Sequence, residues 1–108
     1  MTSRFFVVIA ASLAAASTIG PATALAQVDA NAGRYVAANC ANCHGTHGVA
    51  KGAMPSLAGQ KKEFIVEQMR AFRDGKRPAT LMHQIAKGYS DPQIEAIADF
   101  FARQPAAR

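Results

Sequence analysis

The chain has 108 residues and a formal net charge of +5, with 12 Lys and Arg residues against 7 Asp and Glu residues. This length allows one small domain. The basic residues form no run and aromatic residues make up only 7% of the chain, which argues against a nucleic-acid-binding protein.

The first 26 residues have the features of a secretory signal peptide. Arg4 provides the positive start, residues 5–19 form an apolar run, and Ala-Leu-Ala at 24–26 offers a small-x-small cleavage site. The Gly20-Pro21 pair interrupts the run, which disfavours a membrane anchor. We expect cleavage at this site to leave a mature domain of residues 27–108 in the periplasm, without a stable membrane span.

The mature chain is expected to begin with a helix from Asp29 to Cys40. Asp29 is a suitable N-cap, and the alanines that follow favour helix. Gly33 lies inside this segment, where glycine costs about 1 kcal/mol relative to alanine. Such a glycine often marks the close approach of another backbone.

Cys40, Cys43 and His44 form the motif C-x-x-C-H, which is typical of c-type heme attachment. Each cysteine can form a thioether with one vinyl group of heme. The histidine that follows lies where its imidazole can bind the iron. The motif therefore predicts one covalently bound heme c, with Cys40 and Cys43 as its attachment residues and His44 as the proximal iron ligand.

Three other uses of the cysteine pair fit less well. A thioredoxin-like redox pair belongs in a βαβ context, and no strand pattern is present. A structural zinc site needs four ligands, and the remaining candidates are only His44, His47 and His83. A plain disulfide would leave the adjacent histidine without a role.

The segment after His44 is predicted to be a loop punctuated by glycines. Met54 follows His44 too closely to reach the opposite face of a heme, so we expect it to cap the ring edge or pack in the core. The carbonyl of Pro55 is expected to accept a hydrogen bond from Nδ1 of His44. This contact would leave Nε2 facing the iron, as metal-bound histidines usually require.

A second helix is predicted from Lys61 to Gly75. Phe64, Gln68 and Phe72 recur at the spacing of one helical face, with Ile65 and Met69 one step round the helix, and the opposite face is charged. We expect this stripe to pack in the core. Gly75 is a natural residue for the position just beyond the helix end.

Met82 is the predicted distal iron ligand. It lies far enough along the chain from His44 for the backbone to pass around the heme. A thioether is a soft ligand that raises the reduction potential relative to a second imidazole. His83 is the second candidate ligand, and an ordinary core methionine is the alternative use of Met82.

The last helix is predicted to begin after Ser90. Ser90 and Gln93 have the spacing of a capping box, and Ile94, Ile97 and Phe101 follow one helical face. No strand pattern occurs anywhere in the sequence. These elements predict an all-α fold of three to four helices wrapped around one covalently bound heme.

Residues 28–104 resemble the class I c-type cytochromes. The matching features are the C-x-x-C-H motif together with Gly33, Pro55, Leu57, Met82, Ile97, Phe100 and Phe101. The resemblance implies that the first and last helices cross near the heme, with Gly33 against Phe100 or Phe101. It also implies that His44 and Met82 are the two axial ligands.

Three segments are similar to the cytochrome subunit of flavocytochrome c sulfide dehydrogenase: Leu57–Gly59, Phe72–Arg77 and Met82–Ala102. In that family a flavoprotein subunit oxidises sulfide and electrons leave through the cytochrome. The resemblance implies a monoheme electron-transfer subunit with a flavoprotein partner, and not an enzyme by itself. A free-standing diffusible cytochrome c is the alternative.

A heme sensor or a peroxidase-like enzyme would need an open iron position, which two axial ligands do not leave. Electron transfer is expected at the exposed heme edge beside the two cysteines. Six cations could steer an acidic partner there, or could simply be solvated: Lys51, Lys61, Lys62, Lys76, Arg77 and Lys87.

Overall fold

The computed structural model describes residues 30–108, so the predicted leader at 1–26 and the predicted N-cap Asp29 lie outside the described residues. Five α-helices and two 3-10 turns make up this part: α1 (Ala30–Ala37), a turn at Ala38–Cys40, α2 (Ala41–His44), a turn at Thr46–Gly48, α3 (Lys62–Arg73), α4 (Met82–Ala86) and α5 (Asp91–Ala102). No strand occurs between residues 30 and 108, and no helix there is long and apolar enough to span a bilayer. The all-α prediction is confirmed.

Helix α1 packs across α5, and Gly33 lies at their contact. A Cβ atom added to Gly33 would lie 2.7 Å from the carbonyl oxygen of Ala96 and 3.5 Å from the Cβ atom of Phe100. Only a residue without a side chain fits this distance. The predicted close approach at Gly33 is therefore confirmed, and Phe100 is the aromatic residue beside it.

The hydrophobic core is centred on α5 and is completed by the other helices. Ile94, Ile97 and Phe101 of α5 are the largest fully buried side chains. They cluster with buried residues contributed by α1, α3 and α4: Ala37, Ile65, Val66, Met69 and Ala86. This cluster fixes α3 and α5 in the positions from which they face the site described below.

The start of α5 and the end of α3 both have the capping residues that the sequence predicts. The backbone N–H of Ser90 donates to Oε1 of Gln93 at 2.9 Å in a capping box that opens α5. Gly75 has φ +72° beyond the end of α3, and the N–H of Lys76 donates back to the carbonyl of Ala71 at 2.9 Å. This Schellman turn reverses the chain after α3.

Two short segments differ from the prediction. The helix expected to continue to Cys40 changes to a 3-10 turn after Ala37, and a second helical turn, α2, carries Cys43 and His44. The Met82–Ala86 segment, for which the sequence predicts no helix, forms helix α4. Segments of four or five residues are too short for helical periodicity to show in a sequence.

Candidate heme site

A cavity of about 560 Å³ lies among residues of α2, α3, α4 and α5. This volume falls within the range of roughly 300–1,000 Å³ that is typical of small-molecule and cofactor sites. The four predicted site residues all line it: Cys40, Cys43, His44 and Met82. Much of the remaining wall is apolar, with contributions from Leu57, Phe64, Ile65, Phe72, Ile85 and Ile97.

The ring of His44 is held in one orientation. The side chain is only 7% exposed, and its Nδ1 atom lies 2.7 Å from the carbonyl oxygen of Pro55. Because a carbonyl can only accept, Nδ1 carries the proton and donates it. The other nitrogen, Nε2, is then the one with a lone pair for a metal, and the predicted Pro55 contact is confirmed.

Gly45 ends α2 immediately after His44. Its N–H donates to the carbonyl of Ala41 at 3.0 Å, and its φ of +81° turns the chain out of the helix. A Cβ atom at this position would lie 1.9 Å from the carbonyl oxygen of Val49. The glycine therefore lets the following loop return close to His44, where Pro55 can accept its hydrogen bond.

No disulfide joins Cys40 to Cys43 in the structure, so both sulfur atoms are available for thioethers. Cys40 is partly buried and Cys43 is exposed. Burial raises the pKa of the Cys40 thiol, and a backbone hydrogen bond offsets part of that rise. Between residues 30 and 108 no group of three His, Cys, Asp or Glu side chains is placed to hold a metal ion, so the zinc alternative finds no support there.

Three methionines contribute to the cavity wall, and they differ in exposure. Met82 is partly buried at the start of α4, Met69 is buried at 7% exposure on α3, and Met54 is 42% exposed in the loop. Met54 therefore does not pack in the core. His83 follows Met82 directly, but it is not among the described residues that line the cavity.

The expectation that the apolar stripe of α3 packs in the core is confirmed for Ile65 and Met69, which are buried. It is corrected for the other three residues, because Phe64, Gln68 and Phe72 lie along the cavity wall. Phe64 is 47% exposed. The buried core residues of α3 lie one step round the helix, at Ile65, Val66 and Met69. Periodicity shows which residues share a face of a helix, but it does not show whether that face meets protein or a cavity.

Some polar residues of the cavity wall carried no recognisable signal in the sequence. Arg77 was grouped with the surface cations, and Gln60 and Tyr89 were not singled out, yet all three line the cavity. Each becomes part of the site only through the way distant segments pack together. No local pattern marks such residues in advance.

The side chains of the cavity fit a heme c. Two thiols can form thioethers, an oriented imidazole nitrogen and a thioether sulfur are suitable iron ligands, and the apolar walls suit the faces of a porphyrin. Comparison with known proteins agrees with this assignment. A family model described as cytochrome c oxidase, cbb3-type, subunit III matches residues 26–101.

The chain belongs to this family of c-type cytochromes. Its cofactor is therefore covalently bound heme c, and the protein is an electron carrier rather than an enzyme by itself. The cytochrome subunit of sulfide dehydrogenase from Chlorobaculum tepidum is 37% identical over 87 residues, which cover 79% of each chain. Cytochrome c-554(548) from Halomonas halodenitrificans is 38% identical over 80 residues, which cover 70% of this cytochrome and 96% of that protein.

Solved structures share the fold of this cytochrome. A thiosulfate dehydrogenase from Marichromatium purpuratum matches with a TM-score of 0.68 and 34% identity over 73% of this chain. The cytochrome spans only 20% of that protein. The match shows that the class I cytochrome fold is the same, whereas the activity of the larger protein belongs to that protein.

Proposed function

We propose that Cys40 and Cys43 hold the heme through two thioethers, and that His44 and Met82 bind its iron from opposite faces. The arrangement of His44 carries this proposal. Its 2.7 Å hydrogen bond to the Pro55 carbonyl aims the free nitrogen for a metal, and the two cysteines and Met82 line the same cavity.

When bound, the heme supplies one-electron exchange between the ferric and ferrous states. The residues of the chain then determine how that exchange occurs. With His44 and Met82 as its ligands, the iron would have no position left for a substrate. The apolar side chains that α3 and α5 contribute to the cavity wall would keep water away from a bound heme, which would favour the ferrous state and raise the reduction potential.

We further propose that the electron donor is a sulfide-oxidising flavoprotein. The relative from Chlorobaculum tepidum supports this, because 79% of each chain is matched and its name makes it the cytochrome subunit of a sulfide dehydrogenase. In this proposal the leader at 1–26 directs export, and residues 27–108 form the mature monoheme subunit in the periplasm.

A second candidate is a free-standing cytochrome c that diffuses between respiratory or oxidase partners. The match to the Halomonas protein supports it, since 96% of that single-domain-sized relative is covered. The two candidates share the same heme chemistry. They differ only in whether a flavoprotein stays bound.

Purification from a native periplasm distinguishes these candidates. We expect the mature chain to weigh its residues 27–108 plus one heme, which stays attached during acid-acetone extraction. A flavoprotein that co-purifies and reduces the cytochrome on addition of sulfide would support the subunit role. A cytochrome that elutes alone and is not reduced by any sulfide-treated flavoprotein fraction would favour the second candidate, the diffusible carrier. An unchanged peptide mass would contradict covalent attachment itself.

A further inference from the structure

The loop that carries the Pro55 carbonyl is held at its far end by the last turn of α5. This loop, residues 55–60, runs from the acceptor of the His44 hydrogen bond to Gln60 on the cavity wall. The N–H of Gly59 donates to the carbonyl of Phe101 at 2.9 Å. The last carbonyls of a helix have no partner within it, so the loop supplies one.

The chain beyond α5 also lies directly against Gly59. A Cβ atom added to Gly59 would lie 2.8 Å from both the Cα and the Cβ atom of Ala106, and 2.9 Å from its backbone nitrogen. These atoms belong to the backbone or are bonded to it, so no flexible side chain can move aside. Only a glycine therefore fits at position 59 while Ala106 keeps its place.

Backbone hydrogen bonds tie the middle of the loop to the turn that precedes it. The N–H groups of Leu57 and Ala58 both donate to the carbonyl of Gly48, at 2.8 and 3.1 Å. Gly48 in turn faces α5, because a Cβ atom added to it would lie 2.7 Å from Cδ1 of Phe101. The loop, the turn and α5 are thus in close contact, so a displacement at one end of the loop should move the Pro55 carbonyl at the other.

We infer that Gly59 and Ala106 are positioning residues for His44, because their contact fixes the loop and with it the hydrogen bond from His44 to Pro55. This inference rests on the proposed role of His44 as an iron ligand. A histidine that donates its other ring N–H is a more basic ligand, and a more basic ligand stabilises the ferric state. The segment after α5 thereby acts on the reduction potential, although neither positioning residue is among the described residues that line the cavity.

Gly59→Ala tests this inference in the heme-loaded protein. The new Cβ displaces the loop from Ala106. At 2.7 Å the bond between Nδ1 of His44 and the Pro55 carbonyl is already short, so a displaced carbonyl weakens it. His44 then becomes a less basic ligand. We expect the electron-exchange equilibrium with a reference carrier to shift toward ferrous protein by roughly twofold to fivefold.

Gly52→Ala is the matched control. Gly52 has φ +73° and Gly59 has φ +71°, so both substitutions place an L-residue in the left-handed region at a similar cost. Nothing lies within 4 Å of a Cβ atom added to Gly52, whereas one added to Gly59 meets Ala106. We expect G52A to shift the equilibrium by less than about twofold.

A double-substitution cycle with Ala106→Gly tests whether the two positioning residues act through their contact. A106G removes one of the atoms that would lie 2.8 Å from the new Cβ. It should therefore reverse part of the shift caused by G59A, whereas its effect should simply add to that of G52A.

Hydrogen exchange followed by nuclear magnetic resonance gives a second measurement on the ferrous protein. The Nδ1 proton of His44 should exchange faster in G59A than in G52A. A106G leaves glycine at position 59, so it serves if G59A fails to fold. In A106G the N–H of Gly59 should exchange faster than in A107G, which changes the next, exposed alanine.

Three results would overturn the inference: equal equilibrium shifts in G59A and G52A, additive effects of G59A and A106G, or unchanged exchange of the Gly59 N–H in A106G. Heme attachment and the far-red band of methionine-ligated ferric iron, measured on the same samples, test the proposed function separately.

Discussion

Met54, Met69 and Met82 place three thioether sulfur atoms around one cavity, so sulfur alone does not identify the distal ligand. We expect Met82→Leu to abolish the far-red absorption band of the ferric protein. Leucine has a similar volume but no sulfur, so the fold should tolerate it while the iron loses its ligand. The reduction potential of this variant should fall as well, because a soft ligand that favours ferrous iron is removed.

Met54→Leu and Met69→Leu are the matched controls for this substitution. Each removes a sulfur from the same cavity, one from an exposed loop position and one from the buried face of α3. Both variants should retain the band. Loss of the band in either control, with its persistence in Met82→Leu, would transfer the ligand role to that other methionine.

The residues of the site differ in how far their roles could be predicted. The Pro55–His44 hydrogen bond was predictable because His44 belongs to a recognisable motif and Pro55 lies in the loop that follows it. The place of Arg77 was not, because an arginine near a helix end is normally solvated. Its position depends on the Schellman turn and on Phe72, which only the folded chain brings together.

At the scale of helices, the crossing of α1 and α5 depends on Gly33. We expect Gly33→Ala to lower the free energy of unfolding, because the new Cβ would lie 2.7 Å from the carbonyl oxygen of Ala96. Alanine gains up to about 1 kcal/mol in helix propensity. Overpacking typically costs about 1–3 kcal/mol, so the loss should prevail. Denaturant unfolding of the heme-loaded protein measures the difference.

Arg34→Ala provides the comparison on the same helix, since Arg34 is exposed. Its free energy of unfolding should stay within about 0.5 kcal/mol of the native value. A Gly33→Ala variant as stable as the native protein would show that α1 can move away from α5 without loss of packing.

Ion pairs between α3 and the start of α5 predict a stability change in acid. A hydrogen bond from Arg73 holds the pKa of the Asp91 carboxyl below its usual range, with Arg70 adding a smaller effect. This stability is fully present above the unfolded-state pKa of about 4 and is lost as pH falls through the lower folded-state value. Asp91→Asn should therefore reduce the fall in stability below pH 4.

Asp99→Asn is the control for the acid series, because Asp99 pairs with Arg103 at the C-terminal end of α5 and not with a residue of another helix. Thermal unfolding of both variants at several pH values makes the comparison. If the melting temperature of Asp91→Asn fell with pH as steeply as that of the native protein, the contact between α3 and α5 would not depend on this carboxylate.

Helix boundaries were predictable where side chains act locally, and helix surroundings were not. The capping box at Ser90 and the glycine at 75 are short-range signals, and both occur where expected. Helix α4 is too short to show periodicity. The Phe64–Phe72 stripe was visible in the sequence, but a cofactor and a protein core leave the same apolar pattern on a helix.

At the scale of the whole molecule, the cavity and the core share residues. Ile65, Met69 and Ile97 belong to the buried cluster and also line the cavity. A heme held at Cys40 and Cys43 would therefore complete the core of this small domain rather than occupy a separate pocket. A short chain has little other apolar surface with which to replace the burial that a heme provides.

The cavity of about 560 Å³ lies directly beside the core of this small domain. A heme bound there would bury the apolar side chains of the cavity wall, so the fold should depend on its cofactor.

A variant that cannot attach heme tests this dependence. We expect the double substitution C40S/C43S to yield a chain without covalent heme that unfolds at a much lower temperature and without a sharp transition. The single variant C43S keeps one thioether at the partly buried Cys40 and should remain cooperative, because one tether still holds the porphyrin in the cavity. Calorimetry and far-ultraviolet circular dichroism follow both variants. If C40S/C43S retained a native melting temperature while free of heme, the helices would form a complete core by themselves, and the cavity would be an ordinary pocket rather than a missing part of that core.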